Sequence, residues 1–263
     1  MIKRIISGGQ TGANRAALDF AIKMDLPHGG WVPKGRMAED GPIPARYNLK
    51  EMPTKNFPQR TERNVKKADG TLIISHGKLT LGSDLTRKMA LKHNKPCLHI
   101  DLNETSIFEA AEQIIQWVME NRIEVLNIAG SRASKDPKIY RAVYELLETI
   151  YYMAVSKENV VAIRGVGMPK TVDDAVKRLI ANMPLKFKVD LSKMDEGELI
   201  NLHFTFGAFI RNQFGLWSGN EDLLNDCRQM SGITFMHPDD AAAFIIGELW
   251  ERLGKTHKLR VVK

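Results

Sequence analysis

The 263-residue chain has only two cysteines, Cys97 and Cys227, far apart in the sequence. Two distant cysteines form neither a disulfide framework nor a metal-binding cysteine pair, and they fit a reducing compartment, so the expected location is cytoplasmic. No apolar run reaches the roughly 18–20 residues needed to cross a bilayer. The opening Met1–Ile6 is too short for a signal peptide and has no small-residue cleavage site. The seven histidines are scattered, with no His-x-x-x-His pair and no His-Glu-x-x-His, which argues against a metal held by the protein. There is no Gly-x-Ser-x-Gly elbow, and Cys97, directly after Pro96, reads as strand core rather than nucleophile. Aromatics make up only 7% and do not interleave with basic residues, so nucleic acid is a poor fit as partner despite the formal charge of +7. No repeat or low-complexity segment is present.

The charge is unevenly spread. Residues 1–155 carry 23 Lys and Arg against 17 acids, whereas 156–263 carry 15 against 14. Within 30–67, nine basic residues (Lys34, Arg36, Arg46, Lys50, Lys55, Arg60, Arg63, Lys66 and Lys67) face four acids. A local excess of this kind suits a small anionic ligand.

Short apolar runs alternate with amphipathic ones. Ile5-Ile6, Gly30-Trp31-Val32, Thr71–Ile74, Pro96–Ile100 and Val125–Ile128 read as strands. Helical stripes carry Ala17, Leu18, Ala21 and Ile22, then about 83–93. A third stripe, opened by a Ser106/Glu109 capping box, carries Ile107, Ala111, Ile114, Ile115 and Val118. Ser134 reads as the cap of a last helix bearing Ile139, Val143, Leu146, Leu147 and Ile150. The expected fold is therefore α/β, a Rossmann-like parallel sheet covered by helices on both faces over 1–155. A linker at 156–169 leads to a small all-α domain at 170–255 and a basic tail at 256–263. In the helical part, stretches at 172–183 (Thr171 with Asp174 at its start), about 196–213, about 220–229 and 238–253 read as helices.

Three glycine-containing loops, 7–12, 76–83 and 129–134, each follow a strand and precede a helix, so they should converge at the edge formed by the strand C-termini. The first, Ser7-Gly8-Gly9-Gln10-Thr11-Gly12, brings permissive backbone, hydroxyl and amide donors and a helix N-terminus together, a combination suited to phosphate. It lacks the spacing of a dinucleotide site or a P-loop, and a ligand-free β–α turn is the alternative reading. In the long loop after the second strand, Lys34, Gly35, Arg36 and Arg46 suit phosphate. Glu39 and Asp40 either read hydroxyls or ring nitrogens or simply pair with the arginines. His203, Arg211, Asn212, His237 and Asp239 are a polar set within apolar helical patterns, read as capping and buried hydrogen bonding or as a second site.

Several ordered motifs resemble the molybdenum carrier family. They are Ile5–Gly12, Arg15–Asp19, His28–Trp31, Pro33–Arg36, Ala38–Pro44, Gln59–Val65, Asp69–Ile73, Lys95–Cys97 and Asn127–Arg132, and together they span about 1–153. The resemblance implies a Rossmann-like fold related to the lonely-guy and lysine-decarboxylase-like proteins, homo-oligomers, and, by way of an algal relative, molybdenum cofactor as cargo. That cargo is a phosphate-bearing pterin that would bring its own metal. Asn14 replaces the family's usual Asp, and Leu81-Gly82-Ser83 replaces a double glycine. Thr86 stands where the related phosphoribohydrolases have a catalytic Glu. Residues 170–253 resemble an uncharacterised bacterial helical domain family.

The function expected is a binding or carrier protein for an anionic, phosphate-bearing small ligand. The ligand residues would be Ser7 to Gly12, Asn14, Arg15, Lys34, Gly35, Arg36, Glu39, Asp40, Gly82, Ser83, Gly130 and Arg132. One alternative is a hydrolase or transferase acting on a nucleotide-derived signal, with Glu39, Asp40 or Glu62 as acid or base. The other is an interaction module in which the helical domain senses the bound ligand.

Overall fold

The computed structural model describes residues 2–79, 81–163, 167–183, 185–203 and 205–256. They fall into two compact units, 1–150 and 151–263. The first opens with β1 (Arg4–Ser7), α1 (Ala13–Lys23), β2 (His28–Gly29) and β3 (Trp31–Val32). An excursion follows, holding β4 (Met37–Ala38), β5 (Gly41–Pro42) and β6 (Lys50–Glu51), and then α2 (Phe57–Lys67). The unit continues with β7 (Gly70–Ser75), α3 (Leu81–Lys92), β8 (Cys97–Asp101), α4 (Ile107–Glu120) and β9 (Val125–Gly130). Helix α5 (Ile139–Ile163) begins in it.

Five strands form one parallel sheet in the order β2-β1-β9-β7-β8. Ile5, Ile6, Leu72, Ile73, Ile74, Ile100, Leu126 and Ile128 are buried in it, the apolar runs expected of a sheet covered on both faces. Right-handed crossovers put α1 and α4 on one face and α3, with α2 packed against it, on the other. All five strand C-termini therefore share one edge. The last strand of the unit, β9, lies between β1 and β7, so the loops leaving these three strands are neighbours.

Two local readings change. The run 30–32 is not one sheet strand: His28–Gly29 pairs with β1, while Trp31–Val32 pairs with Lys50–Glu51 in a separate two-stranded ribbon. Gly30 causes the break, since it has φ +134 and a Cβ there would collide with the Ser7 carbonyl. Helix α2 falls where the sequence pattern assigns no helix. Asn56 caps it by accepting from the Gln59 N–H, and Pro58 sits in its first turn. Its buried face is Arg60, Thr61, Asn64 and Val65, so apolar periodicity gives no signal. Asn64 docks it by accepting from the Trp31 N–H at 2.7 Å and donating to the Trp31 carbonyl at 3.2 Å.

The loop 33–49 is folded as a flap over α1. Ile43, Tyr47 and Leu49 pack with Leu18 and Val32 into a small core of their own.

The second unit is helical, with α6 (Val172–Asn182), α7 (Leu185–Lys193), α8 (Phe206–Gln213), α9 (Glu221–Ser231) and α10 (Pro238–Thr256). A 3-10 turn at Glu196–Leu202 precedes α8, so the stretch read as one helix over about 196–213 is divided. Helix α10 packs against α6, α7, α8 and α9, burying Ile245, Ile246 and Leu249. Thr171 caps α6 as expected. The expected linker 156–169 is helical as far as Ile163, and of the basic tail 257–263 lies outside the described residues.

Candidate functional site

The crevice is built where β1, β9 and β7 end. In the first loop, several groups brace the backbone. Ser7 is buried, its Oγ within 3.0 Å of the Ile128 carbonyl and 3.2 Å of the Asn14 carbonyl. Gln10 clamps the flap, donating to the Met37 carbonyl at 3.3 Å and accepting from the Glu39 N–H at 3.2 Å. Gly12 has φ +73, and a Cβ there would meet the Ser131 carbonyl and lie 2.8 Å from the Ala133 nitrogen. The N–H of Ala13, the first of α1, is taken by the Ser131 carbonyl at 3.1 Å. Gly130, at the end of β9, lets the Ile74 carbonyl and Ala13 approach. Its role here is close packing.

Most of the flap's charges are spent within the protein. Arg15 donates to the Gly9 carbonyl (3.1 and 3.3 Å) and pairs with Asp40 at 3.2 Å. Arg36, at φ +51, donates to the carbonyls of Ile43, Pro44, Tyr47 and Leu49 at 3.0–3.1 Å, so it staples the flap. Arg46 pairs with Asp19 at 3.1 Å. Lys34, beside Gly35 (φ +85), is exposed.

Of the three acids considered for proton transfer, Glu39 accepts from the Thr11 hydroxyl, the Ser134 hydroxyl (2.6 Å) and the Ser134 N–H (3.1 Å). Burial works to raise its pKa, but the Ser134 and Thr11 hydrogen bonds and the charge of Arg132 hold it below the ordinary carboxylate range. Ser134 is therefore occupied by the flap, and α5 starts later, at Ile139, without it. Glu62 is held low by hydrogen bonds from His93 (2.6 Å) and Lys92 (3.1 Å). Each of the three acids is thus tied to a partner. Burial pushes the Cys97 thiol up to about 11, which keeps it protonated and a poor nucleophile.

One group in the crevice has no such partner, and it lies outside the ligand set expected from the sequence. The guanidinium of Arg60, on α2, fills the space that a side chain at Gly8 would take, and the same point lies 3.1 Å from the Asn14 Nδ2. Arg60 is 9% exposed. Among the described residues its guanidinium pairs with no carboxylate and makes no hydrogen bond, and its Nε is buried without a partner. Burial, with repulsion from Arg132, lowers its pKa to about 10, still far above neutrality. A permanent charge is therefore held in the protein with nothing opposite it, an arrangement that costs stability unless an anion arrives. Arg60 and Arg132 flank the Phe57 ring, their guanidinium carbons 5.8 and 5.9 Å from its centroid. An Asp at position 14 would stand beside Arg60 as its counter-ion. The Asn present brings an N–H donor in its place.

Gly82 and Ser83 lie in the first turn of α3. A side chain at Gly82 would meet nothing within 4 Å, so no close backbone approach is made there. In the second unit, Asp239 gathers the polar set: Arg211 at 3.1 Å, His237 at 3.2 Å and His203 at 3.8 Å. Asn212 donates to the Ala208 carbonyl one turn back, at 2.9 Å. These contacts tie helices and their ends together. Among the described residues no group of three or more His, Cys, Asp or Glu side chains is arranged to hold a metal ion, and no helix is long and apolar enough to cross a membrane.

A parallel sheet with a cationic crevice at its C-terminal edge, followed by a helical unit, defines a Rossmann-like α/β protein of the ligand-binding kind. Residues 5–151 match the circularly permutated YpsA SLOG family, and the chain belongs to that family. Residues 168–253 match a domain of unknown function, DUF6794. Among solved structures the chain is similar to one from Syntrophus aciditrophicus SB named "Putative molybdenum carrier protein". The two are 60% identical with a TM-score of 0.56, over 57% of this chain and 94% of that one. No protein with a curated description matches.

Proposed function

We propose that the first unit binds and carries a phosphate-bearing small molecule, with its anionic group seated between Gly8, Arg60 and Asn14. The observation that carries this reading is the buried, uncompensated guanidinium of Arg60 against a residue that has no side chain. A planar fork of N–H donors matches phosphate oxygens. The start of α1 adds a favourable dipole, and the Asn14 amide adds a neutral donor. Phe57, flanked by two guanidiniums, offers a face on which a flat ring can stack. Lys34 and Arg132 are both exposed, and in this reading they meet further charge on the ligand. This donor set fits the phosphate of a pterin or a nucleotide, and the name of the similar protein makes molybdenum cofactor the first cargo to try.

Native mass spectrometry of the full chain with molybdopterin and a panel of nucleotides tests the reading. The wild type should take up one class of these ligands, and Arg60→Met should lose it at least tenfold. Equal uptake by both proteins, or uptake by neither, would overturn the assignment.

A further inference from the structure

A second cationic site lies on the same edge of the sheet and shares no residue with the Gly8–Arg60 cradle. The loops leaving β7 and β9 enclose a pocket of about 400 Å³ lined by His76, Lys78, Ser131, Lys135, Asp136, Pro137 and Lys138. His76 and Asp136 come from different loops and meet at 2.7 Å, Nδ1 to Oδ2.

Both loops are held in place. Gly77 has φ +79, its N–H donates to Asp101 at 2.7 Å, and its carbonyl accepts from the Ser75 hydroxyl at 2.7 Å. Asp136 donates its N–H to the Arg132 carbonyl at 3.0 Å and accepts from the Lys138 N–H at 3.2 Å. With Nδ1 engaged, Nε2 of His76 has no partner among the described residues. Lys78, Lys135 and Lys138 pair with no carboxylate among those residues either, whereas Asp19, Asp40, Glu62, Asp84, Glu124, Glu145 and Glu148 of this unit are each paired with a base. Three ammoniums and one carboxylate leave the pocket with a net positive charge, and it opens at the N-terminus of the long helix α5, whose dipole has the same sign.

We propose that this pocket is a second anion site, for a multiply charged phosphate group such as a pyrophosphate or a phosphate monoester. The lysines supply charge, and the His76 ring, held through Nδ1 by Asp136, leaves Nε2 to meet the ligand. The three ammoniums are point charges on flexible stems, which suits a group of several phosphate oxygens better than a single planar carboxylate. The His76–Asp136 contact sets the direction of the ring and so fixes where one phosphate oxygen sits.

Inorganic pyrophosphate, titrated into the full chain and followed through the imidazole carbon–proton resonances, tests the site. The His76 signals, assigned with His76→Asn, should shift saturably. The combined variant Lys78→Ala, Lys135→Ala, Lys138→Ala should weaken that response at least tenfold, whereas Lys66→Ala, an exposed lysine elsewhere, should leave it unchanged. Arg60→Met should also leave it unchanged, which separates this site from the Gly8 cradle. An unmoved His76 resonance, an undiminished response in the triple variant, or loss of the response in Arg60→Met would each overturn the proposal.

Discussion

At the scale of single residues, the arginines of α1 and the flap are answered from within. Arg15 has Asp40, Arg46 has Asp19, and Arg36 has four carbonyls. Arg60 alone of the crevice arginines is both buried and unanswered, which is why it marks the binding point. Sequence reading did not single it out, because Arg60 stands in a basic run of ordinary appearance and only the fold brings it to Gly8, more than fifty positions earlier. Glu39 shows the opposite case: a residue singled out for chemistry turns out to be a tie between flap and crevice. Its pKa is lowered on folding, so the tie stabilises the protein above the ordinary glutamate value of about 4.3 and is lost as pH falls through the lower folded value. The Ser134 amide proton, which Glu39 accepts at 3.1 Å, should titrate in NMR spectra with a midpoint below about 4.3. A midpoint at or above that value would show that the tie does not form in solution.

At the scale of elements, the strands and α1 were legible because their apolar residues repeat with the period of the element. The Ser106 cap was legible because its partner is three positions away. Helix α2 was not legible, since three of its four buried residues are polar and are used to reach β3 and the crevice. The cap expected of Ser134 failed for a related reason: its donors go to Glu39, ninety-five positions away, a choice that no local pattern records. The convergence of the loops after β1 and β9 was foreseen from topology, and Gly12 shows how tightly they meet. Gly12→Ala combines an unfavourable φ with a clash against the Ser131 carbonyl and Ala133 nitrogen. It should destabilise the first unit by about 2–4 kcal/mol in chemical denaturation. A change within about 0.5 kcal/mol, the range of an ordinary surface substitution, would mean that the loops are not packed as described.

At the scale of the whole molecule, the chain divides into two compact units, each with buried apolar residues of its own, and the family match falls on the first. The crevice, its flap and both anion sites are made from residues before α5 ends. A chain of residues 1–163 should therefore fold alone and bind the same phosphate-bearing ligand within about twofold of the full chain, which isothermal calorimetry can check. Failure to bind would assign the helical unit a part in the site. The central claim is that Arg60 is retained for its ligand at a cost to the empty protein. Its most direct test is the unfolding of wild type and Arg60→Met, each with and without the ligand identified by mass spectrometry, followed by scanning calorimetry. Without ligand, the variant should be the more stable by about 1–3 kcal/mol, because an apolar chain of similar length replaces an unpaired buried charge. With ligand, only the wild type should gain stability, rising with concentration as mass action requires. An empty variant less stable than the wild type, together with an equal gain from ligand in both, would contradict the account.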